Sequence, residues 1–381
     1  MKKIELFYAT NRAHTGKKRN NPDSYGSKPS SDGGENLRFG RVTLDNLDDK
    51  KINECLKDKL DYGVGNGVDL SDYYLSQIKN VTIHAIEDGL DTDIPDISQK
   101  NNKLGSVQTF LSLKKKMSKS CDVVIYIHGY SVSWEDAVAS AMALQTTLNV
   151  DSKKVDGKEV VVILFSWPSD GQKYPIYSYK SDRADAEFSG SAFGRGILKL
   201  RDFLMKERTR EDGVMLCNQE VHLLCHSMGN YVLQNTLKRL IEFNHGMRLP
   251  RLFDQIFMCS PDVDDDALEK GKPLARLQEL ATNVNIYHNS GDVAMYISDY
   301  TKQNSDRLGL NGVEKVAQLS QKVHQIDCSK IVTGMVEHSY YLNGNVNEDI
   351  RHSIAGVNQD DTITRQRTAR QNAWPNVWVM K

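Results

Sequence analysis

From residue 105 onward, short runs of four to six residues dominated by apolar side chains alternate with stretches in which apolar positions recur at helical spacing. The apolar runs at 123–127, 160–165, 221–224, 255–259, 284–287 and 322–326 predict strands. Helices are predicted at 107–117, 134–148, 182–206, 229–243, 266–280 and 297–304 between them. Strands that are apolar throughout, separated by helices, are what a parallel sheet covered on both faces requires. Before residue 105 the pattern changes. Segments 4–8, 39–44 and 81–86 read as short strands, while 14–36 and 45–78 are polar and predict an exposed loop and a second insertion. The glycine cluster of 62–67 has Val68 where a dinucleotide fingerprint needs glycine and follows no strand, so a flexible loop is expected there. The predicted architecture is a doubly wound α/β unit. Residues 1–104 add edge strands to its sheet, 105–345 form its core, and 346–381 read as a polar C-terminal tail.

Composition narrows the function. Hydrophobic residues make up 39% and charged residues 26%, which suits a globular chain, and 49 Lys and Arg against 50 Asp and Glu leave no positive field for nucleic acid. No apolar run approaches the length of a spanning helix, and Glu5 interrupts the first apolar stretch before an export signal could form. The six cysteines contain no C-x-x-C pair, and three of them lie in or beside predicted buried strands. A reducing, cytoplasmic setting without zinc is therefore expected, and nothing calls for a cofactor.

Candidate chemistry centres on Val221-His-Leu-Leu-Cys-His-Ser-Met-Gly-Asn230, where Ser227 stands between an apolar strand and an amphipathic helix. That is the context of a nucleophile elbow, a sharp turn that lifts a serine oxygen above the sheet; the plainer alternative is an ordinary helix N-cap. The residues two before and two after such a serine must be small; here they are Cys225 and Gly229. An acyl-transferring serine also needs oxyanion donors, for which the Met228 and Tyr130 amides are the candidates. His128, about a hundred residues earlier, is expected to shape its loop rather than act as a base. In the chain order serine, acid, histidine, the first histidine after strand 322–326 is His338, and Asp292 follows strand 284–287. Asp262 and Asp264, one strand earlier, are alternative acids. The run from Asp262 to Asp266 lacks the glycine and glutamate of a calcium loop and is expected to cap a helix beginning near Ala267. Trp134, Trp167, Tyr174, Tyr177 and Tyr179 follow core strands and could line an acyl pocket or simply pack.

Seven segments, taken in order, resemble a bacterial family of α/β hydrolases of the esterase/lipase superfamily. They are Tyr8-Ala-Thr-Asn-Arg12, Ile127-His-Gly-Tyr-Ser-Val-Ser-Trp-Glu-Asp-Ala137, Phe165-Ser-Trp-Pro-Ser169, Ser181-Asp-Arg-Ala184, His226-Ser-Met-Gly-Asn230, Ser260-Pro-Asp-Val-Asp264 and His338-Ser-Tyr340. The resemblance implies a Ser-His-Asp hydrolase with Ser227, His338 and Asp292 in those roles, and it specifies no substrate. Cys225 and the inserts at 14–36 and 45–78 depart from the pattern. The expected activity is hydrolysis of a small-molecule or lipid ester. An amidase, thioesterase or phospholipase with the same triad, and a silent binding module on the same scaffold, are the alternatives.

Overall fold

The computed structural model describes residues 2–31, 33–57, 66–86, 105–117, 121–150, 159–170, 175–208, 219–295, 306–332, 337–371 and 373–381. Their main sheet has eleven strands, in the order β12-β13-β11-β10-β9-β8-β6-β7-β1-β4-β5. Its centre is parallel and consists of β1 (Lys2–Thr10), β7 (Glu159–Ser166), β6 (Cys121–Ile127), β8 (Val221–His226), β9 (Phe253–Cys259), β10 (Ala281–His288), β11 (Val323–Asp327) and β13 (Val377–Met380). Both edges turn antiparallel, through β4 (Arg38–Leu47) and β5 (Val81–Ala85) on one side and β12 (Arg367–Ala369) on the other.

Alternate side chains of each strand feed two cores. Val123, Ile125 and Ile127 pack with helices α3 (Gly105–Met117), α5 (Pro175–Arg208) and α6 (Gly229–Phe243). Val124 and Tyr126 pack on the opposite face with α2 (Gly67–Ser76), α4 (Trp134–Leu148) and α7 (Gly344–Ile354). With helices on both faces, the carboxyl ends of the parallel strands are left as the place for a site.

Several expectations are corrected. The polar segment 14–36 carries a hairpin of β2 (Arg12–Thr15) and β3 (Ser24–Pro29), anchored by the buried Tyr25. The insertion at 45–78 folds as α1 (Asp49–Lys57) and α2, with the Asn66 side chain capping α2 through the Asp69 N–H; Tyr62 to Gly65 lie outside the described residues. No helix spans 266–280, which is a series of turns ending in a 3₁₀ turn at Leu277–Glu279. Gly271 there has φ +82°, and Pro273 cannot continue a helix begun upstream. The predicted helix at 297–304 lies outside the described residues.

Residues 346–381 do not hang free, and 322–326 is not the last strand. The chain runs through α7 into β12 and β13, and β13 pairs in parallel with β11. Part of their polarity is paired internally. Buried Asp349 accepts from Arg365 Nε at 2.7 Å, Arg365 Nη2 at 2.9 Å and Tyr287 Oη at 2.6 Å. A charge so paired is retained in a core where an unpaired one would not be.

Candidate active site

Ser227 stands between the end of β8 and the start of α6 with φ +50°, a left-handed conformation that serine adopts only when its surroundings impose it. The imposing contacts are visible. Its N–H donates to the Cys259 carbonyl at 2.9 Å, and its own carbonyl accepts the Asp262 N–H at 3.2 Å and Asn230 Nδ2 at 3.1 Å. Gly229 has no room for a side chain, because a Cβ there would lie 2.6 Å from the Ile127 oxygen and 2.7 Å from the His128 oxygen. Cys225 sits instead in the apolar core under α6, fully buried, and burial pushes its thiol pKa well up.

The loop after β6 passes directly over this turn. A Cβ at Gly129 would be 2.8 Å from the Ser227 Cβ, so the backbone leading to Tyr130 lies against the serine. On the other side of the turn, the Met228 N–H donates to no backbone carbonyl among the described residues. His128 is buried. Its Nε2 faces the Ser166 hydroxyl at 3.2 Å and Arg12 Nη2 at 3.5 Å, leaving Nδ1–H to donate to the Gly129 carbonyl at 2.9 Å. Burial, assisted by the Arg12 charge, pushes its pKa down to about 3, so the ring is neutral and holds the loop.

His338 and Asp292 meet. Nδ1 of the histidine is 2.7 Å from Oδ2 of the aspartate; the carboxylate side chain is 1% exposed and the imidazole 21%. The main chain of His338 is fixed as well, its carbonyl accepting His226 Nε2–H at 3.2 Å and the Ser260 hydroxyl at 3.1 Å. The His226 and His338 rings pack with centroids 4.6 Å apart, and His226, next to Ser227, thus ties the histidine loop to the strained turn. Burial, and then the His338 charge, push the His226 pKa well below its ordinary value, so it is a neutral donor. Neither His226 nor Ser260 was singled out by the sequence. Adjacency to Ser227 and to the end of β9 is the signal that could have found them.

The rival acids are engaged elsewhere. Asp262 accepts the Tyr179 hydroxyl at 2.8 Å and lies 3.6 Å from Arg307 Nε, while Asp264 accepts Arg307 Nη1 at 2.7 Å. Neither caps a helix at Ala267. Of the aromatics, Trp134 packs edge-on to Tyr8 in the core, and Trp167 stacks on His128 with its indole N–H on the His128 carbonyl at 2.9 Å. Tyr179 lies edge-on to Tyr130, 5.5 Å between centroids. The side chains of Tyr174 and Tyr177 lie outside the described residues. A cavity of about 680 Å³ under α3 and α5, lined by residues such as Phe110, Leu113 and Phe193, touches none of these groups. Among the described residues no cluster of His, Cys, Asp and Glu could hold a metal, and no helix is long and apolar enough to cross a membrane.

Comparison with known proteins adds one informative match. A family model described as "Alpha/beta hydrolase of unknown function (DUF900)" matches residues 104–350. A solved structure described as that of "the putative cell surface hydrolase from Lactobacillus plantarum WCFS1" aligns with 61% of this chain and 89% of its own, at 13% identity and a TM-score of 0.28. No curated protein matches.

Proposed function

The chain belongs to this family of α/β hydrolases of unknown function, and from that premise we propose that it is a serine hydrolase of carboxylic esters acting through an acyl-enzyme. Ser227 Oγ attacks the acyl carbon while His338 Nε2, the ring nitrogen not facing Asp292, takes the proton. Asp292 holds the resulting imidazolium. The tetrahedral oxyanion is received by the Met228 and Tyr130 N–H groups, His338 returns its proton to the departing alkoxide, and water repeats the sequence to release the acid. The observation that supports this most is the conjunction of a serine held at φ +50° under the Gly129 backbone with an aspartate-oriented histidine whose main chain is tied to the same turn. The substrate is a small-molecule or lipid ester. The same reading assigns a reducing, cytoplasmic setting, since Cys225, Cys259 and Cys328 are free, buried thiols.

The test is labelling of the purified protein with a fluorophosphonate, together with hydrolysis of p-nitrophenyl esters of graded chain length. Labelling and hydrolysis that vanish in Ser227→Ala support the proposal. An unlabelled, well-folded wild type would leave a silent scaffold. Faster turnover of amide or thioester analogues than of esters would reassign the bond cleaved.

A further inference from the structure

An oxyanion donor works only if it already points at the place where charge will develop. Tyr130 belongs to a connecting segment, and such segments are mobile unless something ties them down. Here the tie is a buried polar network assembled from four of the sequence segments singled out above. Arg12, 1% exposed, spreads its guanidinium over the loop and its neighbours. Nε donates to Ser166 Oγ at 2.8 Å, Nη1 to the Gly26 carbonyl at 3.0 Å and the Ser169 carbonyl at 3.1 Å, and Nη2 to the Val132 carbonyl at 2.8 Å, with His128 Nε2 at 3.5 Å. From α5, Asp182 accepts the Ser131 N–H at 3.1 Å, the Ser169 hydroxyl at 2.5 Å and the Asp170 N–H at 2.9 Å. Ser169 Oγ in turn accepts the Val132 N–H at 3.1 Å. The backbone is thereby held on both sides of Tyr130. The carbonyls of His128 and Gly129 are engaged before it, and the amides of Ser131 and Val132 with the Val132 carbonyl after it.

Stability alone is a poor reason for this arrangement. A guanidinium buried without a carboxylate in direct contact is expensive, and burial pushes the Arg12 pKa down to about 10 despite the opposing charges of Asp182 and Glu135. A packed apolar side chain would fill the space more cheaply. What it could not do is engage several acceptors from one rigid group, which the guanidinium fork does. Ser131, moreover, is held at φ +55°, a conformation that needs outside support.

We propose that Arg12 and Asp182 are positioning residues for the oxyanion loop, one from the start of β2 and one from α5, and that together they aim the Tyr130 N–H at the acyl oxygen bound over Ser227. The inference rests on the serine-hydrolase reading. It assigns the N-terminal strands a part in catalysis without any contact to substrate.

The experiment compares wild type with Arg12→Lys, Asp182→Asn and Ser169→Ala, using a p-nitrophenyl ester and counting active sites by exhaustive fluorophosphonate labelling. Arg12→Lys keeps the charge and loses the fork; it and Asp182→Asn are expected to lower kcat per titrated site by about 10²-fold, the scale of a misplaced or missing oxyanion donor. KM should stay within about two-fold, because the ground-state ester makes little use of that donor. The pH midpoints of kcat should not move, since His338 and Asp292 are untouched. Ser169→Ala removes only the hydroxyl joining the two halves; it should cost about ten-fold, and it decides the matter if the charged variants do not fold. A purely structural role would lower the melting temperature and the titratable fraction while leaving kcat per titrated site unchanged, and that result in the folded variants overturns the proposal. A wild type that neither labels nor hydrolyses esters marks instead the failure of the serine-hydrolase reading, and the proposal falls with it.

Discussion

Replacing Asp292 by asparagine is the sharpest test of the proposed acid, because the structure fixes which way the new amide must point. Asp292 Oδ1 accepts the Ala294 N–H at 3.1 Å, and Oδ2 faces His338 Nδ1 at 2.7 Å. An amide has one acceptor end. Its oxygen is drawn to the Ala294 N–H, so its NH₂ faces His338 and requires Nδ1 to accept. The imidazole proton is then held on Nε2, and that nitrogen can no longer take the proton of Ser227. The negative charge that stabilised the imidazolium is lost in the same change. A comparable tautomer reversal in serine proteases costs about 10⁴ in kcat, which at about 1.4 kcal/mol per decade is about 5 kcal/mol of transition-state stabilisation. Little of it should appear in KM, as the carboxylate is 1% exposed and out of reach of substrate. Ester turnover per fluorophosphonate-titrated site measures the effect, with circular dichroism to show an intact fold. Asp262→Asn is the control. That carboxylate is committed to Tyr179 and Arg307, so its loss should cost stability and leave the histidine tautomer alone. A fall of less than ten-fold in Asp292→Asn, or a larger fall in equally folded Asp262→Asn, would refute the assignment.

Other substitutions bear on the elbow and on the buried histidines. Gly229→Ala should destabilise the fold by about 1–3 kcal/mol and misplace Ser227, because both carbonyl oxygens within 2.7 Å of the new methyl belong to the backbone; an unchanged melting temperature would contradict the clash. Cys225→Gly, by contrast, should keep its activity, and native enzyme should resist iodoacetamide at Cys225, since burial holds the thiol protonated; rapid alkylation with loss of activity would place that thiol in open solvent. Acid should destabilise the protein through its buried, neutral histidines. His128 and His324 have folded pKa values pushed down to about 3 and about 4, below the ordinary 6.5, so the unfolded chain binds more protons at pH below about 6.5. Stability contributed by keeping each ring neutral is present above that pH and is lost as the pH falls toward the folded values, by up to about 1.4 kcal/mol per unit for each ring. Urea midpoints measured from pH 7 to 4.5 should therefore fall, and less steeply in His324→Gln; parallel slopes would exclude that ring.

The central sheet was legible because most of its strands carry apolar residues on both faces, a pattern that few other structures produce. It failed where polarity hides burial. The hairpin of β2 and β3 offered only Tyr25 as an apolar anchor, and β13 is a four-residue strand behind a segment whose charges neutralise one another around Asp349. Between 266 and 280 the apolar spacing was helical, but local chemistry at Gly271 and Pro273 overrode it. At the site, the meeting of His338 and Asp292 followed from strand order alone, since the ends of neighbouring parallel strands converge. What strand order could not supply was the support around them. His226 reads as part of the elbow motif, and Arg12 as a polar residue beyond the first predicted strand; only the folded chain shows one holding the His338 carbonyl and the other holding the Tyr130 loop.

Three serines carry positive φ at this end of the sheet, Ser131 at +55°, Ser227 at +50° and Ser260 at +43°. A left-handed conformation costs a residue with a side chain about 1 kcal/mol or more, and glycine would escape that cost. That serine stands at all three positions argues that something other than ease of folding decides them. Ser227 supplies the proposed nucleophile. Ser260 gives its hydroxyl to the His338 carbonyl, so its turn holds the proposed base. Ser131 gives its N–H to Asp182 and lies next to the proposed oxyanion donor. Each strained turn is thus tied to a different component of the site, and each is held by bonds to a neighbouring element rather than by its own preference. The site is therefore rigid because the sheet ends hold it from several directions, and loosening any one of them should reduce turnover before it unfolds the protein.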